Sequence, residues 1–221
     1  MNNKEMKSAQ RQAEDLAEAL RAVGADQAEF ALVLGSGLGG FADRLEDAVA
    51  IPYAQIPGMP QSAVPGHAGR LVLGNLGGRR VLVQQGRVHF YEGWSAYEVT
   101  RAVRAFGMVG IRGLLLTNAA GGVRHDWDPG TLMRITDHIN LQGVSPLFAG
   151  EGGLENPYDP QLGAILDSVA ASEGLPLRTG VVLSQASRSG CFGRGVRPAE
   201  KVPLARSTPH GLPNSTRPHR C

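Results

Sequence analysis

The segment Leu34-Gly35-Ser36-Gly37-Leu38-Gly39-Gly40 follows directly on the apolar run Phe30-Ala31-Leu32-Val33. No other feature constrains the fold as tightly. A buried strand that breaks into glycines leaves backbone N–H groups unpaired at its C-terminal end, with no side chains to shield them. An anion fits there, held by the N–H dipoles and by the Ser36 hydroxyl. The same run also satisfies the dinucleotide spacing G-x-G-x-x-G. That reading requires a carboxylate about 20 residues on, and the region around Gln55 holds only Tyr53, Ala54 and Ile56. A serine-hydrolase elbow is excluded because G-x-S-x-G needs glycine where Leu34 stands.

Further loop-type segments lie beside apolar runs: Val64-Pro65-Gly66-His67-Ala68-Gly69, Gln85-Gly86-Arg87-Val88-His89, and Thr117-Asn118-Ala119-Ala120-Gly121-Gly122. Arg87 and His89 point to one side if the backbone stays extended. Arginine brings a planar donor fork suited to phosphate oxygens, and histidine exchanges a proton near neutrality. Glu92 is close enough in sequence to orient His89. Viewed alone, the pair reads equally as a solvated basic loop. His67 has small neighbours and a stiffening Pro65; its bland reading is a surface turn. The small residues 119–122 let backbone approach a flat ring or a phosphate. Asp137-His138-Ile139-Asn140 is expected to follow a strand, as an orienting network or a simple turn. His125-Asp126-Trp127-Asp128 reads as a solvated turn, so no metal is expected.

Periodicity supplies the frame. Met6, Ala9, Ala13, Leu16, Ala17, Leu20 and Val23 recur at helical steps over Lys4 to Val23, with Gly24 suited to the C′ position. Glu29 to Leu34 reads as a buried strand. Leu71–Leu73 and Val81–Val83 read as a hairpin across residues 75–78. Ser95 caps a helix that runs to about Gly107. Leu114 to Thr117 reads as a buried strand and Leu132 to Thr136 as a shorter one. Leu162 to Glu173 reads as a helix, and Thr179 to Leu183 as a strand. This order implies an α/β sheet covered on both faces, with ligands at strand ends.

After Leu183 the pattern stops. Residues 184–221 carry six Arg and one Lys against one Glu, in a chain of net charge +2. The body is therefore mildly acidic. With Phe192 as its single aromatic, the tail lacks the apolar surface to offset ordering entropy, and it lacks the interleaved rings of single-strand nucleic-acid binders. No nucleic-acid partner is expected. Besides a bland disordered terminus, its Arg, Pro, Gly, Ser and Cys bias fits a GC-rich gene read out of frame, and this frame shift is the expectation. Two domains follow, an α/β body over 1–183 and a basic, disordered tail over 184–221. The charged helical N-terminus is unlike a secretory signal, and no apolar run reaches the ~20 residues of a membrane span. Cys191 and Cys221 show no metal or redox spacing. The expected location is the cytoplasm.

Taken in order, Gly35–Gly39, Pro65–Arg70, Gln85–Gly93, Thr117–Gly122 and Asp137–Asn140 resemble the trimeric purine nucleoside phosphorylase family, inosine/guanosine type, from about Gly24 to Val182. The resemblance implies a three-layer αβα fold with a central mixed sheet, incomplete at the C-terminus. It implies phosphorolysis of a purine nucleoside by orthophosphate, with no cofactor, in a homotrimer. Ser36, His67, Arg87, Val88, His89 and the N–H of Ala119 would hold phosphate, with His89 and His67 as catalytic groups. Tyr91 would meet the ribose, Ala119 and Ala120 the purine, and Glu92 and Asn118 would support them. The family draws its purine N1 acceptor and further ligand contacts from the second half, where 184–221 offers no match. Little or no turnover is therefore expected of the chain as written.

Overall fold

The computed structural model describes residues 3–35, 37–61, 69–148, 151 and 156–185. The readings that concern Ser36, His67 and the chain beyond residue 185 lie outside them.

Helix α1 (Asn3–Ala22) buries Ala13, Leu16, Ala17 and Leu20 along one stripe and ends at Gly24, whose φ of +80° places it in the left-handed region. Strand β1 (Phe30–Leu34) then enters a five-stranded sheet with β2 (Glu46–Pro52), β3 (Arg70–Leu76), β4 (Arg79–Gln85) and β5 (Gly113–Leu116). The spatial order is β2-β3-β4-β1-β5. β1 is parallel to β4 and β5, while β3 runs antiparallel to both β2 and β4, so the sheet is mixed. Between β4 and β5 the chain crosses over β1 through α2 (Ala96–Met108). Ser95 caps α2 in a reciprocal box: its Oγ accepts from Glu98 N at 3.3 Å, and its N donates to Glu98 Oε2 at 2.8 Å.

Side-chain alternation along the strands divides the core. On one face Ala31, Val33, Leu71, Leu73 and Leu82 pack under Leu16, Ala17 and Leu20 of α1 and Ala102, Ala105 and Phe106 of α2. On the other, Val72, Val81 and Val83 pack with Leu45 and with Ala42 of a 3-10 helix, Gly39–Arg44. A second sheet pairs β6 (Leu132–Leu141) in parallel with β7 (Leu177–Gln185), and α3 (Pro160–Ser172) connects them. Leu162 of α3 reaches the far face beside Phe30; a Cβ built on Gly113 would lie 3.9 Å from its Cδ1. Helices therefore stand on both sides of the central sheet, as the three-layer αβα reading expects.

The structure changes the local reading at two strands, β5 and β6, and adds to it at two other places. Strand β2 has no counterpart in the periodicity, because it is an edge strand exposed at every position but Ile51, with a register break between Glu46 and Val49 beside Asp47 at φ +48°. Strand β5 is not buried: it is the outer strand of the sheet, and Leu116 is 59% exposed. Strand β6 runs five residues past Thr136, so Asp137–Asn140 lie within it, not after it. The glycine run opens a six-residue 3-10 helix and then an antiparallel ribbon, not the α-helix and parallel strand of a dinucleotide fold. No helix among the described residues is long and apolar enough to cross a membrane.

Candidate active site

The register brings the loops together. Leu34 pairs with Gln85 and Val33 with Leu116, so β1, β4 and β5 end side by side and their following loops leave one edge of the sheet. Antiparallel β3 starts at that edge, with Arg70 opposite Gln85. The segment ending at Gly69 therefore arrives there too. Ligands bind in such crevices, beyond the carboxyl ends of parallel strands.

The glycine loop is fixed from its first residue. Gly35 N donates to Thr117 Oγ1 at 2.7 Å, and Thr117 Oγ1 donates to Val33 O at 3.0 Å. A Cβ on Gly35 would lie 2.7 Å from Thr117 O, so only glycine lets the two loops pass. Gly37, at φ +86°, turns the chain in the left-handed region.

Arg87 follows the left-handed Gly86 and donates from Nη1 to Leu34 O at 3.1 Å, so the guanidinium lies against the root of the glycine loop. Burial lowers its pKa from the usual arginine value, partly opposed by Tyr91. An arginine stays cationic through such a shift, and a partly desolvated cation grips an anion more strongly. Val88 is buried by its side chain, so only its backbone is available to a ligand.

His89 is extended at φ −131° and ψ 157° and opens a short 3-10 helix, Phe90–Glu92. Glu92 Oε1 accepts from His89 N at 2.8 Å and lies 3.0 Å from His89 Nδ1. A carboxylate only accepts, so Nδ1 carries the proton here. Nε2 is then an acceptor in the neutral ring and a donor in the protonated one. Tyr91 stacks on the His89 ring with centroids 4.8 Å apart and is itself 62% exposed.

Asn118, Ala119 and Ala120 leave β5 on the exposed side, with Asn118 Nδ2 donating to Ala119 O at 3.4 Å. The Asp137–Asn140 group is divided. His138 Nδ1 lies 3.3 Å from Tyr158 Oη, Asp137 Oδ1 accepts from His138 N, and Asn140 closes the turn after β6 through Val144 O and Gln142 N. Asp126 is paired with Arg124 through both carboxylate oxygens. Among the described residues no cluster of His, Cys, Asp or Glu is arranged to hold a metal ion.

Two site-shaping residues carry no motif. Thr117 is quoted by sequence only as part of the Asn-Ala-Ala-Gly segment, yet its hydroxyl bridges β1 and β5. Tyr53, buried on the helix side, donates from Oη to Gly86 O at 2.5 Å, and its N donates to Gly69 O at 2.8 Å. It thereby ties the end of one loop to the start of another. Their signal was weak because a polar residue beside a strand end has many roles.

The family described as the Phosphorylase superfamily matches residues 29–197. Purine nucleoside phosphorylase 1 of Geobacillus stearothermophilus is 44% identical over 164 residues, covering 71% of this chain and 60% of the relative. The bovine (Bos taurus) purine nucleoside phosphorylase is 46% identical over 135 residues, covering 61% of this chain and 45% of the relative. This chain thus spans 60% and 45% of the length of these two curated relatives. Among solved structures, the Schistosoma mansoni purine nucleoside phosphorylase in complex with acetate superposes with a TM-score of 0.74 at 33% identity, over 83% of this chain and 71% of that one. The schistosoma enzyme in complex with hypoxanthine gives 0.73 at 32% identity, over 83% and 68%. With a match that runs from Glu29 through each of the loops at the sheet edge, the chain belongs to the phosphorylase superfamily, on its purine nucleoside phosphorylase branch.

Proposed function

We propose that the chain binds orthophosphate at the ends of β1, β4 and β5 and directs it at a purine nucleoside, giving free purine and (deoxy)ribose 1-phosphate, with turnover held low because residues 184–221 do not supply the purine-side contacts. The observation that carries this reading is the convergence of the glycine loop, the Arg87–His89 segment and the Thr117–Ala119 segment on one sheet edge. Ser36, His67, Arg87, the backbone of Val88, His89 and the N–H of Ala119 are the proposed phosphate ligands. Tyr91 faces the ribose, and Ala119 and Ala120 the purine. Glu92 holds the His89 ring and Asn118 supports its loop. A phosphate oxygen bonds to C1′ as the glycosidic bond breaks, and the purine leaves with that electron pair and takes up a proton. Positive charge develops on the ribose beside the bound dianion, so fixed donors lower the barrier by placement and electrostatics. No cofactor or metal enters this scheme. A cytoplasmic homotrimer is the assembly proposed with it, supported by the family resemblance and tested by sedimentation.

One observation favours a second reading, a phosphate- or nucleotide-binding module without turnover. Arg87 and His89 are half-buried, whereas Asn118–Ala120, the proposed base side, stand open to solvent. Calorimetry with inorganic phosphate, followed by inosine in phosphate buffer with chromatography of the products, separates the two. Phosphate-dependent hypoxanthine release supports the phosphorylase. Phosphate binding without purine release supports the binding module. A chain that takes up no phosphate sinks both.

A further inference from the structure

The central strand β4 ends in two buried glutamines, Gln84 and Gln85. Polar side chains this deep are held by hydrogen bonds. Successive residues of a strand face opposite sides, so the two amides serve different loops. Gln84 shares the helix-side face with Leu82. Gln85 faces the other way: its Nε2 donates to Gly39 O at 2.8 Å, and its Oε1 accepts from Arg70 Nε at 2.5 Å.

These partners are not incidental. Gly39 closes the glycine loop and opens the 3-10 helix behind it. Arg70 starts β3, directly after the segment that carries His67. Arg87 follows Gln85 by two residues. One side chain therefore stands where three anion-facing segments leave the sheet. The fit is close, since a Cβ on Gly39 would come within 3.3 Å of Gln85 Nε2.

We propose that Gln85 is a positioning residue of the oxyanion cradle, resting on the phosphate-binding reading above and deepening it. It touches no ligand. It joins the Gly39 carbonyl to the Arg70 guanidinium and so fixes the glycine amides at a set distance from Arg87 and His89. A run of glycines has wide conformational freedom. Donors that must meet one tetrahedral anion bind weakly unless that freedom is removed beforehand. At neutral pH an amide of this length supplies a donor and an acceptor together. Methionine has the length without either bond. An ionised carboxylate keeps Arg70 but repels Gly39 O.

The test is calorimetric titration of the full 221-residue chain with inorganic phosphate, for wild type, Gln85→Met and Gln85→Glu, each beside a urea unfolding curve. The expected loss of phosphate affinity in Gln85→Met is about tenfold, the scale of one or two lost hydrogen bonds. Gln85→Glu should be as weak at neutral pH and recover toward wild type, compared at each pH, as the introduced carboxyl is protonated and again donates to Gly39 O. The charged groups beside it are Arg70 and Asp43, which lie 3.7 Å apart; Arg70 draws this recovery to acid pH. A merely structural role shifts the urea midpoint and gives no such recovery. Equal affinity in all three proteins overturns the inference. Should Gln85→Met fail to fold, a pH-independent affinity ratio for Gln85→Glu overturns it equally. Absence of phosphate binding by wild type overturns the underlying reading, and this inference with it.

Discussion

The Gly35 amide and the Thr117 hydroxyl are 2.7 Å apart, and this contact locks the ends of two parallel strands, β1 and β5, to each other. It sets the mouth of the candidate site before any ligand arrives. Because a Cβ on Gly35 would press on Thr117 backbone at 2.7 Å, the strand ends have no room to keep both the contact and a side chain.

Gly35→Ala should therefore separate the loops. The expected stability loss is about 1–3 kcal/mol, typical of overpacking, and phosphate affinity should fall at least as steeply. Thr117→Val keeps the shape and removes the hydroxyl. It leaves Gly35 N unpaired at a part-buried position, at a cost of about 1–3 kcal/mol. Urea denaturation and phosphate calorimetry read both. Unchanged affinity in Gly35→Ala would show that the glycine loop does not contact the anion.

How much of this was readable in the chain depends on what each residue's neighbours demand. The helices were clear because Leu16, Leu20 and Phe106 repeat at helical steps against one core, and because Ser95 and Glu98 form a local cap. The β3–β4 hairpin was clear for the same local reason, with Gly77 and Gly78 at positive φ in the turn. Strand β2 was hidden since its edge position asks for no apolar alternation. The site divided along the same line. His89 and Glu92 are close in sequence, and their contact matches the local reading that Glu92 orients His89. Thr117, Tyr53 and Gln85 act on partners 15 or more residues away, which no spacing reveals.

Glu92 both orients and anchors His89. In Glu92→Gln the amide oxygen can still accept from His89 N, but the group is no longer an acceptor alone. Nδ1 then loses its enforced proton, and the ring is free to adopt the other tautomer. The expected result is an altered pair of imidazole ¹⁵N shifts, a folded protein, and phosphate binding reduced about tenfold, as for other partners that orient a ligating histidine. Imidazole shifts identical to wild type would remove Glu92 from this role.

Pro146, Phe148 and Glu151 each meet Arg104 of α2. Arg104 donates to both Glu151 oxygens at 2.9 and 2.8 Å and to Pro146 O, and it lies 4.1 Å above the Phe148 ring. Those guanidinium bonds, with the Phe148 N–H, hold the Glu151 carboxyl down to about 2. A lowered folded-state pKa gives stability that is complete above the unfolded value, near 4.3, and is lost as pH falls toward 2. Solvent screens this exposed pair, so the contribution is about 1 kcal/mol or less. Urea midpoints of wild type and Glu151→Gln should differ at pH 6 and draw together as pH falls from about 4 to about 2. A constant difference across that range would contradict the assignment.

The apolar residues of the second sheet and α3 face solvent to an unusual degree. Leu116, Leu132, Ile139, Ile165, Val169 and Val181 are each exposed by half or more. Scattered apolar residues are normal on a surface, but so many on β5, β6, α3 and β7 leave much apolar area that water solvates poorly. The outer edge of β5 adds unpaired backbone groups among the described residues. The purified chain should accordingly bind a hydrophobic dye while fully folded and lose solubility as concentration rises. Ile165 and Val169 lie four apart on one face of α3, so Ile165→Lys with Val169→Lys converts that stripe without touching the buried Gly163 or Ala170. The double variant should bind less dye and stay soluble at higher concentration, with its urea midpoint within about 0.5 kcal/mol of wild type, as expected for surface changes. A large loss of stability in the variant would instead mean that these side chains are buried in the working form of the protein.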